Sequence, residues 1–197
     1  MYRVRGAPTT ITDVACLSSV WCMVVGALGG QAWAARRTWT TWTSWSVAGA
    51  TSFGSVGCAS AFGCRAGVDP GTTVGTWSAA SGGWSLSTPL PGSIATGVEC
   101  APGVCVLVGK ATAPGGHVGY QVQGLDGTPL VAPKAMGAFR DVSCTSAAHC
   151  VIVEDDDAIH RWNGTTWADD PLDLGAVHGE VSDDIACSPS ASCLVTG

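Results

Sequence analysis

The sequence predicts an all-β protein assembled from one repeated unit, and three observations lead to this fold class. Ten cysteines fall into five close pairs, and the first members of successive pairs lie 42 to 44 residues apart in the 197-residue chain. Apolar runs such as Val106-Leu107-Val108 follow the pairs, as expected of short strands. Tryptophans and Gly-containing turns fill the second half of the unit. A period of about 40–50 residues with four short strands is that of a β-propeller blade. We therefore expect a propeller of about five four-stranded blades, four complete and one partial.

The cysteine pairs each enclose four or five mostly small or polar residues, as a tight turn between two strands requires. They are Cys16/Cys22, Cys58/Cys64, Cys100/Cys105, Cys144/Cys150 and Cys187/Cys193. Zinc sites favour two to four residues between ligand cysteines, and four of these five gaps hold five. We therefore expect one disulfide per blade, formed in an oxidising compartment. Each would close a short loop and stabilise the fold by about 2–2.5 kcal/mol in the chain-entropy picture.

Tryptophans mark the second hairpin of the unit. Trp162 and Trp167 flank Asn163-Gly164, a dipeptide that favours a tight turn because both residues accept positive φ. Gly83-Trp84 stands at the equivalent place in the second of the aligned repeats. We expect these rings to wedge between neighbouring blades, where each would bury on the order of 200 Å².

The domain organisation follows from the cysteine spacing. Residues 1–197 are interpreted as one propeller domain or as a propeller fragment. The repeats are placed at 13–54, 55–96, 97–140, 141–183 and, in part, 184–197, with residues 1–12 as an outer strand that could complete the last blade. An incomplete five-blade ring and a piece of a larger ring both remain open.

The pattern D-V-x-C-x5-C, followed by W-x-G-x-x-W, resembles secreted bacterial propellers of the actinobacterial type that carry degenerate Asp-box (BNR-like) repeats. Fragments of the box are present at Asn163, Gly164, Thr166 and Trp167. The resemblance implies a propeller fold over nearly the whole chain. It also implies that the box is a structural brace of the hairpin and not an active site.

The net charge of the chain bears on whether the protein binds nucleic acid. The net charge is −6, with +3 in residues 1–98 and −9 in residues 99–197. A net acidic chain without a basic stripe argues against nucleic-acid binding.

The apolar run 20–28 is too short for a transmembrane segment, and no signal peptide is visible at the N-terminus. The disulfides nevertheless favour an extracellular or cell-envelope location, and a fragment or mis-started reading frame would reconcile the two observations.

Exposed aromatics are the best sequence evidence for a binding site. Trp21, Trp33 and Trp42 lie off the main aromatic positions of the repeat, and aromatic faces concentrate at binding hot spots. We predict them as ligand-binding residues, with inter-blade packing as the alternative.

The run Glu154-Asp155-Asp156-Asp157 follows a predicted strand. Glu154, Asp155 and Asp157 are candidate ligands for Ca²⁺, which takes six to eight oxygens. A solvated acidic turn is the alternative, and no other cofactor is indicated.

Three functions fit these observations. The first is a non-enzymatic binding or scaffold module that recognises a glycan or a surface protein on one propeller face. The second is a glycoside-active enzyme, of the sialidase, glycosidase or lyase type, and the third is an assembly factor like the Asp-box propellers that help photosynthetic complexes mature. The sequence assigns no catalytic residue and favours the first function. An enzyme should gather ionisable residues from several blades at one mouth of the central channel.

Overall fold

The structure is a computed structural model of the chain. It describes residues 8–61, 63–69, 71, 73–88, 93–112, 118–123, 129–130, 138–154, 158–170, 184–188 and 192–196. All the regular structure in these residues is β-strand and turn, which confirms the all-β class. No helix in the described part of the chain has the length and apolarity needed to cross a membrane.

Eighteen strands are described, and they fall into five successive groups that we call blades 1 to 5. Blade 1 contains β1 (Thr10–Ser18), β2 (Trp21–Leu28), β3 (Gln31–Thr38) and β4 (Thr41–Val47). Blade 2 contains β5 (Phe53–Ser60), β6 (Gly63–Val68), β7 (Val74–Ser78) and β8 (Gly83–Ser87). Blade 3 contains β9 (Ser93–Ala101), β10 (Val104–Thr112), β11 (Val118–Gln123) and β12 (Pro129–Leu130). Blade 4 contains β13 (Phe139–Ser146), β14 (His149–Glu154), β15 (Ile159–Trp162) and β16 (Trp167–Asp170), and blade 5 contains β17 (Asp184–Cys187) and β18 (Cys193–Thr196).

Each of the first four blades is an antiparallel sheet in which sequential strands pair. The first strands of successive blades lie next to each other: β1 against β5, β5 against β9, β9 against β13 and β13 against β17. Four-stranded meanders arranged with their first strands innermost are the blades of a propeller, so the predicted architecture is confirmed.

One disulfide joins the first two strands of every blade, as the sequence predicts. The bonded cysteines are directly opposite each other in the ladders, with Cα atoms 4.0–4.1 Å apart. No free cysteine occurs among the described residues. Each bridge therefore fixes the hairpin between the first and second strands of its blade.

The hydrophobic core of the described residues lies between the blades. It forms four clusters, one at each junction of neighbouring blades. At the first junction the Trp77 ring packs on Trp21 and Trp45, with centroids 6.4 and 6.1 Å apart. The Arg36 guanidinium lies over the Trp77 ring, 5.0 Å from its centroid. The prediction that aromatic rings wedge between blades is thus confirmed at this junction.

The blade boundaries differ from the predicted repeats by a few residues. Blades 1 and 4 begin at Thr10 and Phe139, before the predicted starts at 13 and 141, because the first strand extends beyond the aspartate that precedes the cysteine. Residues 10–12 therefore belong to β1 and not to the last blade, in which two strands are described. Residues 1–7 lie outside the described residues, and their pairing with blade 5 stays a prediction.

Candidate functional site

The first strands of the five blades line a cleft of about 780 Å³. A β-bulge interrupts the first strand at the same point in blades 1 to 4, four residues before the first cysteine. Bulges turn side chains away from the regular alternation of a strand. Here they direct the residues of the bulge towards the cleft and towards the next blade.

The two cysteines of each disulfide differ in their position relative to this cleft. The first cysteine of every pair lines it, namely Cys16, Cys58, Cys100, Cys144 and Cys187. The second cysteines of blades 2, 3 and 4 lie on the second strands, away from the cleft lining, and are buried: Cys64 is 1% exposed, Cys105 5% and Cys150 1%.

The second cysteines of blades 2, 3 and 4 are packed in the interior of the protein. Cys64 and Cys150 belong to the hydrophobic clusters between blades, and Cys105 is covered in the same way on β10. Their predicted disulfides are present. Because their sulfur atoms lie inside the protein, Cys64, Cys105 and Cys150 are structural residues and offer no contact surface to a ligand.

Two aspartates that follow the bulges hold neighbouring blades together. Asp13 Oδ2 accepts a hydrogen bond from the Val56 N–H of blade 2, with 2.6 Å between the atoms. In the same way Asp141 Oδ2 accepts one from the Ile185 N–H of blade 5, at 3.1 Å. We call this contact the carboxylate clasp. It satisfies a backbone donor at the blade junction, which would otherwise be costly to bury.

Hydroxyl groups make the same kind of contact beside the clasps. Thr12 Oγ1 donates to the carbonyl of Phe53 at 2.6 Å, and Thr96 Oγ1 donates to that of Phe139 at 2.8 Å. The Cys187 N–H of blade 5 donates to Ser143 Oγ at 3.0 Å. Described polar side chains of the inner strands therefore bridge blades 1 and 2, blades 3 and 4, and blades 4 and 5.

Four carboxyl groups from four blades line the cleft. They are Asp13, Glu99, Asp141 and Asp184. Burial raises the pKa of Glu99 to about 8, against a weaker opposing effect from the Cys100 N–H. Burial also raises the pKa of Asp141, and a hydrogen bond with the Asp184 carboxyl raises it further. Burial raises the pKa of Asp13 too, although the amides of Val56 and Val14 oppose this shift.

The arrangement therefore gathers ionisable groups from several blades, as the sequence analysis expected of an enzyme. Two of the four, Asp13 and Asp141, are bound to amides of the neighbouring blade. The Asp184 carboxyl is hydrogen-bonded to Asp141, and burial raises the pKa of Glu99 to about 8, above neutral pH. Chemically, the cleft offers two carboxyl groups able to give up a proton near pH 8 and no described cluster of ligands for a metal ion.

Sequence reasoning did not identify these carboxyl groups as a set. The signal was present in the aligned repeats, because an aspartate stands three residues before the first cysteine in blades 1, 4 and 5, at Asp13, Asp141 and Asp184. That periodicity indicates one shared structural position, and it could have predicted the clasp. Glu99 stands at a different phase of the repeat and carries no such signal.

The tryptophans predicted as ligand-binding residues lie in blade 1. Trp33 is 2% exposed and Trp21 is 9% exposed, the latter packed on Trp77. Trp42, on β4, is half-buried and is the most accessible of the three. The structure does not bring the three rings to one surface as an exposed set, and their ligand-binding role stays a prediction.

Of the predicted calcium ligands, Glu154 alone lies among the described residues. Asp155 and Asp157 lie outside the described residues, whereas Glu154 is fully buried at the end of β14. The Glu154 carboxylate is bonded to His160 Nε2, and His160 Nδ1 lies 3.0 Å from Asp169 Oδ1. The buried imidazole thus links an interior carboxylate to one at the surface of blade 4.

Comparison with solved structures supports the fold. The chain is similar to a structure of YCF48 bound to a D1 peptide, with 14% identity and a TM-score of 0.66 over 96% of this chain and 62% of that one. It is also similar to virginiamycin B lyase from Staphylococcus aureus, with 11% identity and a TM-score of 0.67 over 95% of this chain and 63% of the lyase. The WD40 repeats of RRP9 match at 13% identity with a TM-score of 0.61, over 84% of this chain and 52% of that one.

At these identities the likeness shows the β-propeller fold alone. The chain spans about half to two thirds of the length of the solved structures it matches. No protein family and no curated protein sequence matches it.

Proposed function

We propose that the chain is a non-enzymatic binding or scaffold module that recognises a glycan or a protein on one face of its propeller, outside the cell or in the cell envelope. The carboxylate clasp is the observation that carries this proposal. Asp13 and Asp141, two of the three aspartates repeated around the cleft, accept hydrogen bonds from amides of neighbouring blades. Their geometry is that of structural braces, and it supports a rigid scaffold.

Two further observations support the location and the mode of action. Five disulfides suit an oxidising compartment outside the cytosol. A rigid propeller presents the turns between its strands as a preformed surface, and preorganised surfaces bind at a lower entropic cost.

The enzymatic function remains the second candidate because of one observation. Glu99 is protonated at neutral pH, since burial raises its pKa to about 8, and a general acid must carry its proton at the working pH. In this function Glu99 would protonate the glycosidic oxygen of a glycan held in the cleft as its bond to the anomeric carbon breaks and water adds to that carbon.

One experiment separates the two functions. Oxidised, folded protein is incubated with a panel of polysaccharides and with solubilised envelope proteins, and both binding and the release of new reducing ends are measured. The binding module should retain ligands without releasing products, and Glu99→Gln, which mimics the protonated carboxyl, should bind equally. Product release that Glu99→Gln abolishes would instead establish the enzyme.

A further inference from the structure

Trp39, in the turn between β3 and β4, is the most exposed large apolar side chain in the described part of the molecule. Its exposed fraction is 72%. Burial of large aromatic side chains is a main source of stability in a small domain, and this ring contributes almost none. Stability of the fold therefore does not explain why a tryptophan is exposed at this position.

The backbone of Trp39 makes the position more unusual. Its φ is +56°, and it is the only described residue other than glycine with a positive φ. In the corresponding turns of blades 2 and 4 the positive φ falls on Gly82 and Gly164. A bulky residue in the left-handed region costs of the order of 1 kcal/mol. Glycine would suit the turn better, so neither folding nor packing accounts for this tryptophan.

The turn is held rigidly from two sides. The Trp39 N–H donates to the carbonyl of Val20 at 2.7 Å, which ties it to the β1–β2 turn. Arg37 Nε donates to the carbonyl of Trp39 at 2.9 Å. The Cys16–Cys22 disulfide closes the β1–β2 hairpin immediately beside it. The indole is thus presented to solvent from a fixed backbone, which lowers the entropic cost of binding.

The surroundings of the ring indicate the chemistry of its ligand. Thr40 and Thr41, which follow Trp39 in the chain, are exposed and carry hydroxyl groups. Hairpin 31–47 contains no acidic residue, and its two charges are both arginines. Arg36 lies over the Trp77 ring inside the blade junction, whereas the Arg37 guanidinium is held at the main-chain carbonyl of Trp39. An apolar ring face, hydroxyl groups and one guanidinium match a pyranose ring that carries a carboxylate.

We propose that Trp39 stacks on a pyranose ring of an acidic oligosaccharide, with the Arg37 guanidinium paired to the carboxylate of the sugar. This inference rests on the proposed binding function and narrows it to glycans that contain uronic acid. They would bind at the β3–β4 turn of blade 1, next to the hairpin closed by the Cys16–Cys22 disulfide. A protein partner would need a wider apolar surface around the ring, because hot-spot residues are surrounded by contacts that exclude water. The threonines around Trp39 favour a sugar.

The test uses tetragalacturonate as the acidic probe and cellotetraose as the neutral probe, with calorimetry and the indole N–H signals of the ¹⁵N-labelled protein as readouts. Trp39→Gly is the decisive variant, because glycine accepts the positive φ and the variant should melt at the same temperature as the parent or higher. We expect the parent to bind tetragalacturonate with a shift of the Trp39 indole signal. We expect Trp39→Gly to weaken this binding at least tenfold.

The other outcomes are distinguishable. If Trp39→Gly binds tetragalacturonate as the parent does, the assignment of Trp39 is wrong while the proposed binding function stands. If neither probe binds the parent, the acidic-glycan inference is overturned, and the envelope-protein arm of the preceding experiment decides whether a binding function remains. Arg37→Gln should reduce the preference for tetragalacturonate over cellotetraose, and an unchanged preference would remove Arg37 from the site.

Discussion

Asp13 Oδ2 in blade 1 lies 2.6 Å from the backbone nitrogen of Val56 in blade 2 and accepts its hydrogen bond. The same contact recurs between Asp141 and Ile185 at the junction of blades 4 and 5. A short side chain on a bulged strand thereby satisfies a donor of the neighbouring sheet. Because the blades are separate sheets, this side-chain contact joins them where no backbone strand pairing does.

Asp13→Ala should lower the free energy of unfolding by about 1–3 kcal/mol, the cost of leaving a buried donor without its acceptor. Urea denaturation at pH 7 with oxidised protein measures the loss. Asp69→Ala, at an exposed position of blade 2, is the matched control and should change stability by less than about 0.5 kcal/mol. Equal effects of the two substitutions would show that the clasp contributes nothing.

Gly57 lies where the backbones of blades 2 and 3 approach each other closely. A Cβ placed on it would lie 2.5 Å from the Cys100 nitrogen and 2.7 Å from the Glu99 backbone. Because backbone atoms cannot move aside as a flexible side chain does, Gly57→Ala should destabilise the protein by about 1–3 kcal/mol or more.

Gly83→Ala provides the comparison, since a Cβ there would meet nothing within 4 Å. Removing a glycine at an unstrained position stabilises by about 0.4–1 kcal/mol through the unfolded state. Thermal melts of both variants should therefore move in opposite directions. A Gly57→Ala protein as stable as the parent would mean that blades 2 and 3 are further apart in solution.

The sequence predicted the features that repeat and missed those that depend on neighbouring blades. The cysteine period was sufficient for the blade order and the disulfides, because one hairpin geometry recurs at a fixed interval. Gly57 is crowded by backbone atoms of residues more than 40 positions away in the sequence, whereas a Cβ on Gly83 would meet nothing within 4 Å. Local patterns hold no information about such contacts.

The candidate binding residues show the same division. Trp33 differs from the repeat in sequence, yet its position in β3 buries it. Trp39 fits the tryptophan-rich pattern of β3 and β4 and gave no signal of its own, whereas its positive φ and exposure are visible only in the structure. Departure from a repeat therefore did not predict exposure.

Glu99 should make stability depend on pH. Its pKa in the folded protein is raised from 4.5 to about 8 because burial disfavours the charged form. The folded state then holds this proton more tightly than the unfolded state between these values, so its contribution to stability is full below pH 4.5 and is lost as the pH rises towards 8. Glu99→Gln should raise the melting temperature at about pH 8 and leave it nearly unchanged at about pH 4.

Melting curves of the parent and of Glu99→Gln between about pH 4 and 9 test this. Asp69→Asn serves as the control for the loss of one acidic group. If the melting temperatures of the parent and of Glu99→Gln differ by the same amount at every pH, the Glu99 carboxyl is ionised to the same extent in the folded and unfolded states.

His160 and Glu154 form a buried pair in blade 4, with 3% and 0% of their side chains exposed. His160→Leu deletes the hydrogen bond between the imidazole and the buried Glu154 carboxylate, and breaking a buried pair of this kind typically costs about 3–5 kcal/mol. His160→Leu should therefore be strongly destabilised in urea denaturation. The double substitution Glu154→Leu/His160→Leu should recover part of this loss, because an apolar pair of similar volume needs no charge compensation. A double variant that is less stable than His160→Leu would mean that Glu154 stabilises the protein through other contacts.

Val14 stands two residues before the first cysteine of blade 1 and is 54% exposed, whereas its equivalents in blades 2 to 5 are buried. Those equivalents are Val56, Val98, Val142 and Ile185, each 1–5% exposed. The difference arises because a preceding blade covers each of them. Val142→Thr should cost about 1–3 kcal/mol for burying an unsatisfied hydroxyl, and Val14→Thr should cost almost nothing.

Threonine has the shape of valine and the same preference for strands, so the two substitutions differ only in their surroundings. Urea denaturation of both variants gives the comparison, and gel filtration of the parent at several concentrations accompanies it. If Val14→Thr is as damaging as Val142→Thr, the open face of blade 1 is covered in solution. In that case, an elution volume that depends on protein concentration would identify a second copy of the chain as the molecule that covers Val14.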